Sequence, residues 1–313
     1  MRPAFFPQKI LGFSLSACSG AAMFAELFAV MAPVLAGAGL GFAWVRLGHP
    51  YPVDFVTRLV FNIGTPALVL AAVSGADIDI SAFGRTMLAT ALVVLAMGAV
   101  TFLMARLLGR DWRVLLAPMM YPNTGNMGLP VVLYAFGGTG FAFGITVMIT
   151  VTLFQFTLGT MMASRGNPLR ALLRTPTVYA ILIVVGLLIT DSELPRWLDN
   201  TVDLISGFTV PLMLITLGVS LASIRVTGLM SGVGFSLLRI PVAALLAWGA
   251  GLLVGLSPLA HAILVLQMSM PVAVFNYLFA VRAGREPEYV ASLVFVSTLL
   301  SLLYLPVLLA ILM

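Results

Sequence analysis

The chain has 313 residues, of which 61% are hydrophobic and only 9% charged, and its mean hydropathy is +1.12. Apolar runs on that scale exceed the needs of a soluble core, so the composition excludes a soluble globular domain and indicates a polytopic membrane protein. The net charge of +5 comes from basic residues scattered through short connections, with no aromatic-interleaved patch, which argues against nucleic acid as a partner.

Residues 1–22 stand apart. Arg2 and Lys9 precede a short apolar run, and Leu15 to Cys18 reads LSAC, like a lipoprotein signal. Met23 opens the first long apolar segment, so these residues read as an extension or as a start assigned too early. With one cysteine and two distant histidines, the chain offers no internal disulfide and no metal cluster. No cofactor or metal is expected.

Segments of about 20 apolar residues match a hydrocarbon core of about 30 Å. Ten are predicted: Ala25 to Val45, Val53 to Val73, Phe83 to Leu108, Val114 to Phe136, Phe141 to Ala163, Thr177 to Thr190, Val202 to Ala222, Phe235 to Gly255, Leu259 to Val281 and Tyr289 to Leu312. The expected fold is therefore an all-α polytopic membrane protein of ten transmembrane helices. Gly37, Gly39 and Gly41 in the first span predict close helix packing.

Arginines set the orientation. Arg46, Arg58, Arg106, Arg110, Arg113, Arg165, Arg170, Arg174, Arg225, Arg239, Arg282 and Arg285 fall on the side of the odd-numbered loops, against Arg2, Lys9, Arg85 and Arg196 opposite. That distribution predicts cytoplasmic odd loops and both termini outside. Arg239, within SGVGFSLLR, is expected to snorkel to the cytoplasmic surface from an interfacial lead-in.

Asp54, Arg58 and Pro66 in the second span recur as Asp199, Asp203 and Pro211 in the seventh, each 145 residues later. Five spans per half would invert the second copy, giving repeats over 23–166 and 167–313. The fourth span carries YPNTGNMGLP from Tyr121 to Pro130, a turn-like composition between apolar flanks. Irregular backbone at membrane depth is tolerated only inside protein or beside a cavity, so this span is expected to be broken. In the ninth span, Gln267 to Pro271 reads QMSMP and predicts a matching break. Pro122, Gly128, Pro130, Gln267 and Pro271 are the expected break residues.

A broken helix exposes carbonyls at one end and N–H groups at the other, with opposite partial charges. Asn126 with Pro130, and Ser269 with Pro271, are expected to start the second halves of the two helices as cap and first-turn proline. Two N-termini meeting near the midplane would favour an anion. Asn123, Thr124, Gly125, Asn126, Ser269 and Asn276 are the candidate substrate contacts in the breaks, with Asn62 and Gln155 at mid-span. For Asn62 and Gln155 a helix-gluing hydrogen bond is an equal alternative. The acidic residues fall in loops or first turns, which leaves ion coupling open.

NTGNMGLP at Asn123 to Pro130, MAP at Met31 to Pro33, VPLMLITLGVSL at Val210 to Leu221 and MPVA at Met270 to Ala273 together resemble the auxin efflux carrier family. This family includes plant auxin exporters and bacterial permeases proposed for malonate and malate. The resemblance implies ten helices in two inverted five-helix repeats, with helices four and nine broken and crossing, outside termini, and a homodimer. The long cytoplasmic loop of the plant members is missing here. The function expected is secondary transport of small organic anions, carboxylates or auxin-like acids, across the cytoplasmic membrane by alternating access. The alternatives are a sodium-coupled symporter of the bile-acid type, or a sensor that binds the anion without moving it. A membrane-embedded enzyme lacks a nucleophile, carboxylate pair or HExxH motif at depth.

Overall fold

In a computed structural model, residues 20–74, 80–163, 175–190, 192–224 and 229–313 are described. Nearly all of the expected N-terminal extension and the boundary between residues 166 and 167 lie outside them. Apart from short connections and two breaks, the described residues are helical, because a segment in hydrocarbon must satisfy its backbone groups internally. Their sole bridge of strand type joins Pro122 and Val272.

Helix α1 (Gly20–Arg46) leads to α2 (Val53–Leu59), a π-helical turn (Val60–Gly64) and α3 (Thr65–Ser74). Then come α4 (Ile80–Leu107), α5 (Trp112–Met120), a second π-helical turn (Thr124–Gly128) and α6 (Leu129–Ala163). The second half holds α7 (Pro176–Thr190), α8 (Arg196–Gly207), α9 (Thr209–Ser223), α10 (Leu229–Val254), α11 (Pro258–Met268), α12 (Phe275–Ala283) and α13 (Pro287–Leu312). Among the described residues, seven helical stretches are long and apolar enough to cross a membrane, and α7 and α11 are shorter apolar helices. Outward-facing Leu107, Leu253 and Leu303 are more than 70% exposed, the surface expected of a protein solvated by lipid tails. This is an all-helical polytopic membrane protein.

Two local breaks of helical geometry position the rest. Gly137 in α6 has φ 66 and ψ −161, a conformation open essentially only to glycine, and it turns the chain from the fourth predicted span directly into the fifth. The π-helical turn at Val60–Gly64 displaces the second span just before Pro66, where a proline already removes a backbone donor.

The principal packing is α1 on α9 and α3 on α7 and α8, with α10 against both α4 and α13. Of the three glycines expected to allow close approach, Gly37 and Gly41 do so. A Cβ on Gly41 would lie 2.0 Å from the carbonyl oxygen of Ile215, and one on Gly218 would lie 1.8 Å from that of Ala38. Backbones of α1 and α9 thus touch where side chains are absent. Gly39, the middle glycine of the three, faces open space.

Candidate functional site

Helix α5 begins at Asp111, whose carboxylate accepts from the N–H of Arg113 at 2.9 Å, and ends at Tyr121 in extended geometry. Helix α11 begins at Ser257, whose hydroxyl accepts from Ala260, and ends at Ser269. Past these ends the two chains run antiparallel through the membrane-embedded core. The Asn123 N–H donates to the Pro271 carbonyl at 2.7 Å, and the Ala273 N–H donates to the Tyr121 carbonyl at 3.2 Å. Between these bonds Pro122 faces Val272. Pro122 has no N–H to satisfy, and that of Val272 donates to the Ser297 hydroxyl at 3.0 Å. The proline thus sits where the pairing needs no donor.

The break in the fourth span is therefore at 121–123, with Pro122 as its proline. Pro130 lies in the first turn of α6, the first-turn position expected of it, and Gly128 ends the π-helical turn. Pro271 lies in the second break, while Gln267 belongs to the last turn of α11. Asn126 is within the π-helical turn and Asn123 holds the capping position, without a side-chain bond to the backbone. Ser269 closes α11 instead of opening the next half; α12 starts after Val274 and also has no side-chain cap. The expected caps are thus corrected, because a π-helical turn in one break and a turn around Val274 in the other begin the second halves without them.

Asn276 donates its Nδ2 to the Tyr121 carbonyl at 3.0 Å, fixing the orientation of its amide. Gln267 donates its Nε2 to the Gly144 carbonyl at 3.3 Å, which ties α11 to α6. The oxygens of both amides are left without a partner. Eight buried side-chain atoms among the described residues lack a partner, and five of them gather here: Asn123 Nδ2, Arg239 Nε, Gln267 Oε1, Ser269 Oγ and Asn276 Oδ1. Buried polar groups in folded proteins are nearly always paired, so this concentration sets the crossing apart from the rest of the described core. Thr124 is buried in the same turn, and Gly125 and Asn126 are half-buried.

The mid-span candidates lie further out. Gln155 is buried in α6 with its Nε2 unpartnered, next to Phe154, whose carbonyl accepts from the Tyr121 hydroxyl at 3.1 Å. Asn62 is exposed in the first π-helical turn, although its neighbour Phe61 packs edge-on against Phe275 at 4.9 Å between ring centroids. A small, half-open cleft between α5 and α12 is lined by Arg113, Pro118, Asn276, Phe279 and Arg285.

The residue that sequence reasoning misplaced is Arg239. It is 1% exposed, with its Nη1 donating to the Met270 carbonyl at 2.5 Å and its Nη2 to the Met268 carbonyl at 3.4 Å. The reason is a helix boundary. The eighth span was expected to start at Phe235, but α10 starts at Leu229. Arg239 is thereby ten residues into the helix, about 15 Å along its axis, too deep to snorkel.

Residues 167–309 match the family described as "Membrane transport protein". That part of the chain is similar to the membrane transport protein family. The match contains the VPLMLITLGVSL and MPVA motifs and bears out the resemblance to the auxin efflux carrier family. The chain is also 29% identical over 270 residues to an uncharacterized transporter of Methanothermobacter thermautotrophicus, covering 80% of this chain and 86% of that protein. An uncharacterized transporter of Methanocaldococcus jannaschii is 26% identical over 194 residues, 59% of this chain and 63% of the other.

Proposed function

We propose that this protein is a secondary transporter that moves small organic anions, such as mono- or dicarboxylates, across the cytoplasmic membrane by alternating access. The observation that carries the reading is the crossing itself. Two half-helices begin beside a pair of backbone hydrogen bonds, and their N-terminal partial positive charges meet buried polar atoms that lack partners. Asn123, Thr124, Gly125, Asn126, Ser269 and Asn276 would contact the anion, with Gln155 and Asn62 one layer away.

Ten spans in two inverted repeats are part of the proposal. The packing supports them: the first span lies on the seventh as the second lies on the sixth, and Gly64 opposes Thr209, its counterpart at the 145-residue offset. The cleft that Asn276 lines also carries Arg113 and Arg285, on the side that the loop arginines assign to the cytoplasm. An anion would then enter from that side, both termini would lie outside, and a second copy would complete a homodimer.

The test is thermal stability of the detergent-purified protein against mono- and dicarboxylates and aromatic acids. A ligand at 100 times its Kd stabilises by about 2.7 kcal/mol. A carboxylate that raises Tm in the wild type but not in Asn276→Ala supports the site, and uptake of that compound into proteoliposomes then separates carrier from sensor. No shift with any carboxylate would sink the anion reading.

A further inference from the structure

The end of α11 is a place where chemistry asks for a cation. The last carbonyls of a helix have no intrahelical donor and carry a partial negative charge. In carriers built on discontinuous helices, such carbonyls commonly coordinate a diffusible cation. Here each carbonyl from residue 267 to residue 271 already has a donor. Gln267 accepts from the Met270 N–H at 3.3 Å and Pro271 from the Asn123 N–H at 2.7 Å. Ser269 accepts from the Tyr304 hydroxyl at 2.5 Å, while Met268 and Met270 accept from Arg239. Among the described residues no carboxylate pairs with this guanidinium, although a buried charge in a membrane is expensive to keep. By contrast, the Tyr121 carbonyl at the end of α5 is met by neutral donors alone, from Ala273 and Asn276.

We infer that Arg239 is a built-in counter-cation: its guanidinium holds, covalently tethered, the position at the end of α11 that a diffusible cation would otherwise fill. Its charge balances the carbonyl end of the broken helix. The N-terminal ends of the crossing then remain uncompensated and available to an anion. Arg239 acts as a positioning residue, keeping the break open and its carbonyls aimed inward. Removing it leaves a vacant cation site rather than a merely weakened fold. This inference rests on the crossing alone and holds whatever the transported molecule is.

The experiment measures Tm of the full chain in detergent at constant ionic strength, with sodium, potassium, guanidinium or choline chloride, all well below denaturing concentration. Wild type is expected to respond equally to sodium and choline. Arg239→Gly is expected to melt lower and to recover saturably with guanidinium or a small metal cation, but not with choline. Arg239→Gln, which keeps bulk and loses charge, is expected to gain the same cation selectivity, and Arg239→Lys to remain unselective. A simple packing role would lower Tm without restoring any preference among cations. Sodium-selective stabilisation of wild type would overturn the inference and needs no variant to fold. So would variants in which choline serves as well as guanidinium.

Discussion

The side-chain oxygen of Gln267 lies 2.0 Å from where a Cβ on Gly128 would stand. The same amide donates to Gly144 on the other side, where an added Cβ would come 3.2 Å from Nε2. Two glycines thus form a slot for one glutamine, which bonds α11 to α6 at Gly144 and packs against the end of the π-helical turn at Gly128. Gly128→Ala is expected to displace the amide and cost about 1–3 kcal/mol, as overpacking does. The check is a double-mutant cycle with Gln267→Ala by thermal melting. The pair should be less harmful than the sum of the single changes, and additivity would show that the slot is not what Gly128 provides.

Gly39 and Gly41 offer an internal control. Gly41→Ala drives a methyl into the Ile215 carbonyl and is expected to separate α1 from α9 at a cost above about 1 kcal/mol. Gly39→Ala meets nothing within 4 Å and should gain up to about 1 kcal/mol of helix propensity. Melting temperatures that move in opposite directions are the expected result.

Ser297 supplies the acceptor that Val272 lacks in the crossing. Ser297→Ala leaves a buried N–H without a partner and should destabilise by about 1–3 kcal/mol. Ser297→Thr keeps the hydroxyl and should recover most of that loss. Equal melting of Ser297→Ala and wild type would mean that water replaces the hydroxyl.

Asn126 and Asn276 should separate binding from stability. Asn126 caps no helix, so Asn126→Ala is expected to alter Tm of the unliganded protein by no more than about 0.5 kcal/mol equivalent, the range of substitutions away from structural features. Asn276→Ala removes the bond to Tyr121 and should destabilise by about 1 kcal/mol. If both also lose the carboxylate-dependent shift, the first does so as a contact and the second partly through geometry. A large stability loss in Asn126→Ala would contradict its position inside the π-helical turn.

The breaks were legible in sequence because proline and glycine between apolar runs leave no other solution at membrane depth. Their inner registers were not. Pro130 falls in the first turn of α6 as expected, whereas Pro271, expected in the same role, stays in the break before α12 begins at Phe275, because a proline is compatible with either place. The caps failed for a similar reason: Asn126 has the chemistry of a cap, but whether the chain enters a π-helical turn before the helix depends on what packs against it. Arg239 was misread because SGVGFSLLR, Ser231 to Arg239, passed for an interfacial lead-in. Its partners, the carbonyls of Met268 and Met270, lie in another helix that no local pattern connects to it.

The corner at Gly137 has a mechanical consequence. One residue makes the whole turn from the half-helix that leaves the crossing into the long helix that follows, so there is no slack between them. The two arms form a single bent lever, with one end at the pairing of Pro122 and Val272 and the other reaching back across the bilayer beyond Gln155. A change at the crossing reaches the long arm through this one residue, whose conformation essentially only glycine adopts. A side chain at Gly137 would strain this corner, and flexible residues inserted there would disconnect the two arms without touching a single polar atom of the site.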